Sequence, residues 1–313
     1  MHGSKMESEI RQQPSALREN SKRYLDQLRG VFESRRFEMV LLAARGSSDH
    51  AALYAKYLFE IHLGIPVSLA APSVITKYGS RLKYPNCLAI GISQSGEAPD
   101  VSEVLEHLRS SGHATLAITN TSASRLTKVA DATLLLGAGD EEAVAATKTY
   151  TSSLLALYQT ARALGADLQE PILPDDQWTE LTKAAAADSV GPILRCSPLF
   201  ALARGYSFSS AHETALKLME CALLPCKAYS TADFEHGPKA LAGAQTAAIV
   251  YGDTPQSLFD LGCVQVIAPE TPDPAISPIW DAFYGQWLAL LAARARGIDP
   301  DHPQNIHKIT KTL

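Results

Sequence analysis

Three things are scarce in this sequence, and each scarcity removes a class of function. Its five cysteines, Cys87, Cys196, Cys221, Cys226 and Cys263, include no Cys-x-x-Cys pair. That excludes a zinc ribbon and a dithiol redox motif, and an odd, sparse set of thiols points to buried cysteines in a reducing, cytoplasmic compartment. Apolar runs are short: Met39 to Ala44 and Trp287 to Ala293 fall far below the ~20 residues that span a bilayer. A soluble protein with no membrane partner is expected. Basic charge is also lacking, with 28 Lys plus Arg against 33 Asp plus Glu and a net charge of −5. No basic stripe lies along the chain, so nucleic acid is not an expected partner. His50, His62, His107, His113 and His212 stand at no spacing with acids or cysteines that would hold zinc, so no metal site is expected. Neither a dinucleotide fingerprint nor a P-loop lysine is present, so no cofactor is expected. The opening carries no signal peptide, and Met1 to Lys5, ahead of a second methionine at Met6, look like an addition to the chain.

What is present is an ordinary globular composition of 46% hydrophobic and 19% charged residues over 313 positions, long enough for two domains at roughly 100–200 residues each. Residues 1–36 read as a helical leader, amphipathic through Leu17, Tyr24, Leu25, Leu28 and Phe32 and interrupted near Pro14. From Glu38 onward, apolar runs at Met39–Ala44, Val67–Ala70, Cys87–Ser93, Ala114–Thr119 and Ala132–Leu136 predict strands. Helices lie between them, and a long one is predicted around 141–164. This alternation predicts a parallel sheet flanked by helices over residues 37–168. Pro171 and Pro174 punctuate the chain before a linker helix within 169–190. A second unit over 191–298 follows, with strands at Leu199–Ala203, Cys226–Tyr229, Thr246–Tyr251 and Val264–Ala268 and an apolar helix around 279–296. Residues 299–313 form a tail.

A short internal similarity favours duplication of one α/β domain. Leu-Ala-Ala-Arg45-Gly46 leads through a helix to Glu60, and Leu-Ala-Arg204-Gly205 leads through another to Glu220; glycine and glutamate are 14 residues apart in one and 15 in the other.

The candidate chemistry divides between these units. In the first, Gly46-Ser47-Ser48 and Ser93-Gln94-Ser95-Gly96-Glu97 follow strands and would open helices. Free N–H groups and the positive dipole end there attract an anion, and the serine hydroxyls can donate to phosphate oxygens. Plain N-capping by serine is the alternative. In the second unit Lys217 and Glu220 are neighbours on one helical face; taken alone, they read as a surface ion pair worth under ~1 kcal/mol. His236, ahead of Gly237-Pro238, sits in a turn as either a proton shuttle or a plain surface histidine. The tail would fray by default, yet Ile306, Ile309 and Leu313 at helix-like spacing beside Asn305 could pack down and fix Lys308.

With these segments in view, the sequence resembles the double-domain form of the sugar isomerase (SIS) domain family, as in the isomerase half of glucosamine-6-phosphate synthase. Glu9-Ile10 to Gln13-Pro14 resembles the family's opening helix, and the two Ser/Gly loops resemble its sugar-phosphate loops. Val144-Ala145-Ala146-Thr147-Lys148 is similar to the segment lining the sugar, Glu213 to Glu220 to the catalytic helix, His236-Gly237-Pro238 to the ring-opening loop, and Asn305-Ile306-His307-Lys308 to the tail lysine motif. The resemblance implies two tandem SIS domains, each a flavodoxin-like α/β/α layering about a parallel sheet.

It further implies roles. Gly46, Ser47, Ser48, Ser93, Gln94, Ser95, Val144 and His307 would contact the substrate, a small-molecule sugar phosphate. Glu220 would move a proton between sugar carbons 1 and 2, assisted by Lys217, while His236 opens the ring and Lys308 forms an imine. A homodimer is implied, with shared active sites in which His236 serves the partner subunit. The apolar stretch from Trp280 to Ala293, richer in large side chains than an exposed face tolerates, points either to an interface or to internal packing. The sequence has no counterpart of the synthase's glutaminase domain, and Ala98 stands where the synthase has Thr. The strings Gly46 to Ala51, Pro99-Asp100 and Lys308 to Thr312 resemble the stand-alone branch that deaminates glucosamine 6-phosphate. A fructosamine-6-phosphate deglycase, another phosphosugar isomerase and a non-catalytic sugar-phosphate sensor are the alternatives. A sensor's usual DNA-binding helical domain would not fit in the few residues before Glu38.

Overall fold

The computed structural model of the chain describes residues 1–33 and 35–308. It contains two compact units, one of Ala16–Asp140 with Lys148–Pro171, the other of Met1–Ser15, Glu141–Thr147 and Ile172–Lys308. Helix α1 (Ser4–Leu28) therefore contributes its first half to one unit and its second to the other, rather than standing apart as a leader. Nor does Pro14 interrupt it. Proline cannot donate to the carbonyl of Ile10, and the side-chain Nε2 of Gln13 donates to that oxygen instead, at 3.2 Å. The exposed N–H groups at the start of α1 are met by Asp301, whose carboxylate accepts from Lys5 and Met6 at 2.8 and 3.0 Å.

The first unit is built on β1 (Met39–Ala43), α2 (Ser47–Leu63), β2 (Val67–Leu69), α3 (Ser73–Thr76), β3 (Cys87–Ile92), α4 (Pro99–Ser110), β4 (Ala114–Thr119), α5 (Arg125–Val129), β5 (Ala132–Leu135) and α6 (Lys148–Ala163). Its five strands are all parallel, in the order β2-β1-β3-β4-β5. Central strands of a parallel sheet are covered on both faces, and all six residues of β3 and of β4 are buried. The order reverses direction between β1 and β3, which opens a crevice at their carboxyl ends. The helix expected around 141–164 begins only at Lys148, because residues 141–147 are engaged in the other unit's hydrogen bonds.

The second unit comprises α7 (Asp176–Leu194), β6 (Leu199–Ala203), α8 (Phe208–Ala222), β7 (Cys226–Ser230), α9 (Thr231–Glu235), β8 (Ala247–Val250), α10 (Gln256–Asp260), β9 (Val264–Ile267) and α11 (Ser277–Ala295). Its sheet, β7-β6-β8-β9, is parallel and repeats the order of the first four strands of the other sheet. The expected linker helix is α7, which packs on α11 as part of this unit. From Ile279 to Ala293 only Trp280 and Leu291 are not buried. A helix that is apolar all round belongs in a core, so α11 is consumed inside its own unit. Of the two readings of its large side chains, interface and internal packing, it is internal packing that buries them.

All five cysteines are free and buried, and burial pushes the thiols of Cys221 and Cys226 up to about 12. Among the described residues no helix is long and apolar enough to cross a membrane.

Candidate active site

In the five-stranded unit the two Ser/Gly loops leave β1 and β3, which are neighbours in the sheet. Gly46, at φ 56°, precedes α2, and that helix starts without a side-chain cap. Ser47 and Ser48 are half-buried in its first turn. The second loop is differently built from the expectation that it opens a helix: α4 starts at Pro99 with Ala98 at the N-cap, and residues 93–97 form a self-bonded turn ahead of it. Ser93 Oγ accepts from the Gly96 N–H at 3.1 Å, and Ser95 Oγ from the Glu97 N–H at 3.3 Å. Gly96 is obligatory in this turn, since it has φ 67° and an added Cβ would lie 2.1 Å from Ser124 Oγ. Gln94 is half-buried. Arg45, just before the first loop, ties the two together through Asp100 at the start of α4, Nε to Oδ2 at 2.6 Å. Asp100 is buried while Arg45 is half-exposed, so a guanidinium stands at the lip of a crevice furnished with hydroxyls. Such a site suits an anion at the switch point of the sheet.

Helix α8 carries two carboxylates and a lysine of the four-stranded unit. Glu213, Lys217 and Glu220 recur at helical spacing, so they share one face. Lys217 Nζ lies 2.5 Å from Glu220 Oε2 and 3.4 Å from Glu213 Oε1. The pair is not the surface ion pair that spacing alone indicates, because the Lys217 side chain is 1% exposed. Burial alone would lower the pKa of this amine, but the two carboxylates outweigh it and raise the pKa above the ordinary lysine value. A fixed ammonium therefore grips one oxygen of Glu220, whose side chain remains 26% exposed and reachable.

A second cluster in the same unit holds Lys308. Its Nζ donates to Glu141 Oε2 at 2.7 Å and to the Ala143 carbonyl at 2.6 Å, so the tail to this point is seated rather than frayed. Glu141, with no side-chain exposure, also accepts from the N–H and the Oγ1 of Thr147 at 3.0 and 3.1 Å. Glu9 of α1 accepts from the N–H groups of Glu142 and Ala143, and its Oε2 lies 3.0 Å from Thr147 Oγ1. Burial and then the nearby Glu141 charge raise the Glu9 carboxyl above its usual range, against the pull of those N–H donors. Gln13 and Gln286 complete the network, Gln13 Nε2 donating to Gln286 Oε1 and Gln286 Nε2 to the Thr147 carbonyl.

Val144 is half-buried within this loop, and His307 is exposed. His236 caps α9 at its C-terminus, its own N–H donating to Asp233. Its side chain is exposed and makes no hydrogen bond with Glu220, Lys217 or Lys308. Ile309 and Leu313, expected to pack with the tail, lie outside the described residues. The Glu9–Glu141–Thr147 cluster and the Arg45–Asp100 tie went unread in the sequence. The acidic run Asp140-Glu141-Glu142 ahead of Val144 was the one local signal for the first. A cavity of about 860 Å³ opens at the carboxyl ends of the second sheet, lined among others by Arg204, Ser207, Asp253, Glu270 and Asp281. Glu220 does not line it.

Comparison with known proteins places these features. Residues 36–163 match the SIS domain family model. The glutamine–fructose-6-phosphate aminotransferase (isomerizing) of Methanothermobacter thermautotrophicus is 32% identical over 97% of this chain. The chain spans only 56% of that relative's length. A structure described as a phosphosugar isomerase, from Silicibacter pomeroyi, superposes with a TM-score of 0.80 at 27% identity, covering 96% of this chain and all of that one. The glucosamine-6-phosphate deaminase of Thermotoga maritima gives 0.82 at 25% identity, covering 99% and 100%. Residues 36–163 thus match the SIS domain, and the chain as a whole is similar to proteins named as an isomerizing aminotransferase, a deaminase and a phosphosugar isomerase.

Proposed function

We propose that this protein is a cytoplasmic glucosamine-6-phosphate deaminase, built as two tandem SIS domains and converting glucosamine 6-phosphate and water to fructose 6-phosphate and ammonia. The observation that carries the reading is the Glu220 carboxylate, held on one oxygen by a buried, permanently charged Lys217 and still open to solvent. An aldose–ketose shift needs one base that takes a proton from carbon 2 and returns it to carbon 1, and a fixed but accessible carboxylate serves both steps. The full-length likeness to the Thermotoga deaminase supports the choice of reaction.

In this proposal Gly46, Ser47, Ser48, Ser93, Gln94 and Ser95 bind the phosphate, and Val144 and His307 contact the sugar. Glu220 carries a proton from carbon 2 to carbon 1 of the open-chain sugar while an amine proton passes to the carbon 1 oxygen, which leaves the substrate nitrogen as an imine at carbon 2. Lys308 then adds to carbon 2 and ammonia leaves, giving a lysine imine that water hydrolyses to the ketone of fructose 6-phosphate, freeing Lys308. His236, exposed and making no hydrogen bond with Glu220 in its own chain, opens the ring of the sugar bound by the partner subunit of a homodimer.

The test is incubation with glucosamine 6-phosphate, measuring ammonia and fructose 6-phosphate together. Equimolar formation of both is expected. The likeness to a phosphosugar isomerase favours one second reading, plain isomerisation by the same carboxylate. Isomerisation of a sugar phosphate without ammonia would establish that reading. Binding without turnover would make the protein a sensor.

A further inference from the structure

The Lys308 ammonium cannot attack a carbonyl until it loses a proton, and the groups around it are arranged to take one. We propose that Glu141, backed by Glu9, is the proton acceptor that turns Lys308 into a nucleophile and then returns the proton to the departing oxygen. The inference rests on the reading of Lys308 as the imine-forming lysine and assigns a role to a carboxylate that acts through it.

Geometry carries the argument. Glu141 Oε2 is 2.7 Å from Nζ, within the range of a charge-assisted hydrogen bond. The Ala143 carbonyl, at 2.6 Å, accepts a second N–H and so fixes the direction of the amine while being too weak a base to keep its proton. The other oxygen of Glu141 is anchored by the N–H and hydroxyl of Thr147. Thr147 Oγ1 also lies within hydrogen-bond distance of Glu9 Oε2, placing two carboxylates on one hydroxyl. Two buried carboxylates so close repel each other when both are ionised, and a proton on either relieves the repulsion. A proton on Glu141 relieves that repulsion, and the raised Glu9 carboxyl reports the same repulsion from the Glu9 side of the shared hydroxyl. Glu9 on α1 faces the cluster, as does Glu142 in the loop, whose N–H donates to Glu9 and whose carboxylate pairs with Lys5 at 2.6 Å. From α11 the neutral Gln286 reaches the Thr147 carbonyl.

The proton count closes without any outside reagent. Glu141 takes one proton from the ammonium, and the freed lone pair forms the N–C bond as the carbonyl π pair moves to oxygen. Glu141 returns that proton to the oxygen, giving a carbinolamine with nitrogen still cationic. It then removes a second proton from nitrogen and delivers it to the hydroxyl, which leaves as water while the nitrogen lone pair forms the C=N bond. Iminium and water are the products, and Glu141 ends ionised as it began.

The test traps the iminium with cyanoborohydride in the presence of fructose 6-phosphate and follows the adduct by intact mass from pH 6 to pH 9. Wild type should trap rapidly with little dependence on pH. Glu141→Gln should trap more than tenfold slower near neutrality and gain rate steadily as pH rises and hydroxide removes the proton instead. Glu141→Asp should restore part of the neutral rate, and fructose 6-phosphate affinity should change little in both variants. A purely structural role for Glu141 would lower trapping equally at every pH, with Asp no better than Gln, and that result overturns the inference. So does a Glu141→Gln protein that traps like wild type. If wild type forms no adduct and Lys308→Arg keeps full turnover, it is the reading of Lys308 that fails, and the role of Glu141 falls with it.

Discussion

The two sheets have the same strand order but furnish their carboxyl edges in opposite ways. After β1 and β3 the chain offers short hydroxyl-bearing turns and one guanidinium, Arg45, already balanced by Asp100 at 2.6 Å. After β6 and β8 it opens a cavity of about 860 Å³ whose lining includes Arg204 and the carboxylates of Glu235, Asp253, Glu270 and Asp281. Among the described residues Arg204 has no ion pair. A repeated backbone topology therefore does not repeat a site. In the first unit the candidate anion site lies on the strand-end loops, where the topology of a parallel sheet directs it. In the second, the candidate catalytic groups lie elsewhere, on the face of α8 and on a loop and tail brought in from distant sequence. Function resides in the groups added to the fold rather than in the fold.

If that division holds, removing the α8 carboxylate should abolish chemistry and spare binding. Glu220→Gln keeps the shape and loses the base, so turnover should fall roughly 10²–10⁴-fold while fructose 6-phosphate still binds, as titration calorimetry would show. Near-full turnover in the folded variant would remove Glu220 from the mechanism. The same variant tests the reach of His236. Mixed dimers of Glu220→Gln and His236→Ala chains should regain up to about a quarter of wild-type activity under random pairing, and verified mixed dimers with none would confine His236 to its own chain or to no role.

The converse substitution belongs to the other unit. Ser47→Ala/Ser95→Ala removes two hydroxyls at about 0.5–1.5 kcal/mol each, which should weaken fructose 6-phosphate binding on the order of tenfold or more and slow the bound complex much less. Unchanged binding would place the phosphate away from these loops.

How much of this was legible in sequence depended on the range of the interaction. Buried parallel strands are continuous apolar runs, so β1, β3 and β4 could be read directly, and a Leu-Ala step running into Arg-Gly marked the first strand of each sheet. Gly46 and Ser93 were found because loops at strand ends carry their own composition. Burial was not legible at Lys217 and Glu220, where a spacing of three fits a solvated pair equally well; only the packing of α8 against β6 and α11 distinguishes the two. Pro14 misled because its helix is rescued by a side chain, Gln13, that no propensity scale counts. The Lys308–Glu141 contact joins residues 167 positions apart, and nothing local announces it.

The smallest expected effect concerns the two buried aspartates at the sheet edges, and it sharpens the same contrast. Asp100 has a guanidinium as partner, whereas Asp281 on α11 has only hydroxyl donors, with Ser210 Oγ at 2.8 Å. Burial raises the Asp281 carboxyl to about 7, despite the opposing pull of the Ser207 and Ser210 hydroxyls. In the unfolded chain an aspartate titrates near ~3.9. Between those two values the folded state binds a proton that the unfolded state has released, so stability falls as pH rises from about 4 to about 7 and levels off above that. Asn in place of Asp281 stays neutral throughout, and its side-chain oxygen can still accept from Ser210. Melting temperatures of wild type and Asp281→Asn should therefore lie close together near pH 4.5 and diverge toward pH 8, with the variant the more stable at the higher pH. Parallel melting curves across that range would mean that Asp281 is ionised in the folded protein at both ends of it, so that the cavity supplies a partner for its charge as Arg45 does for Asp100.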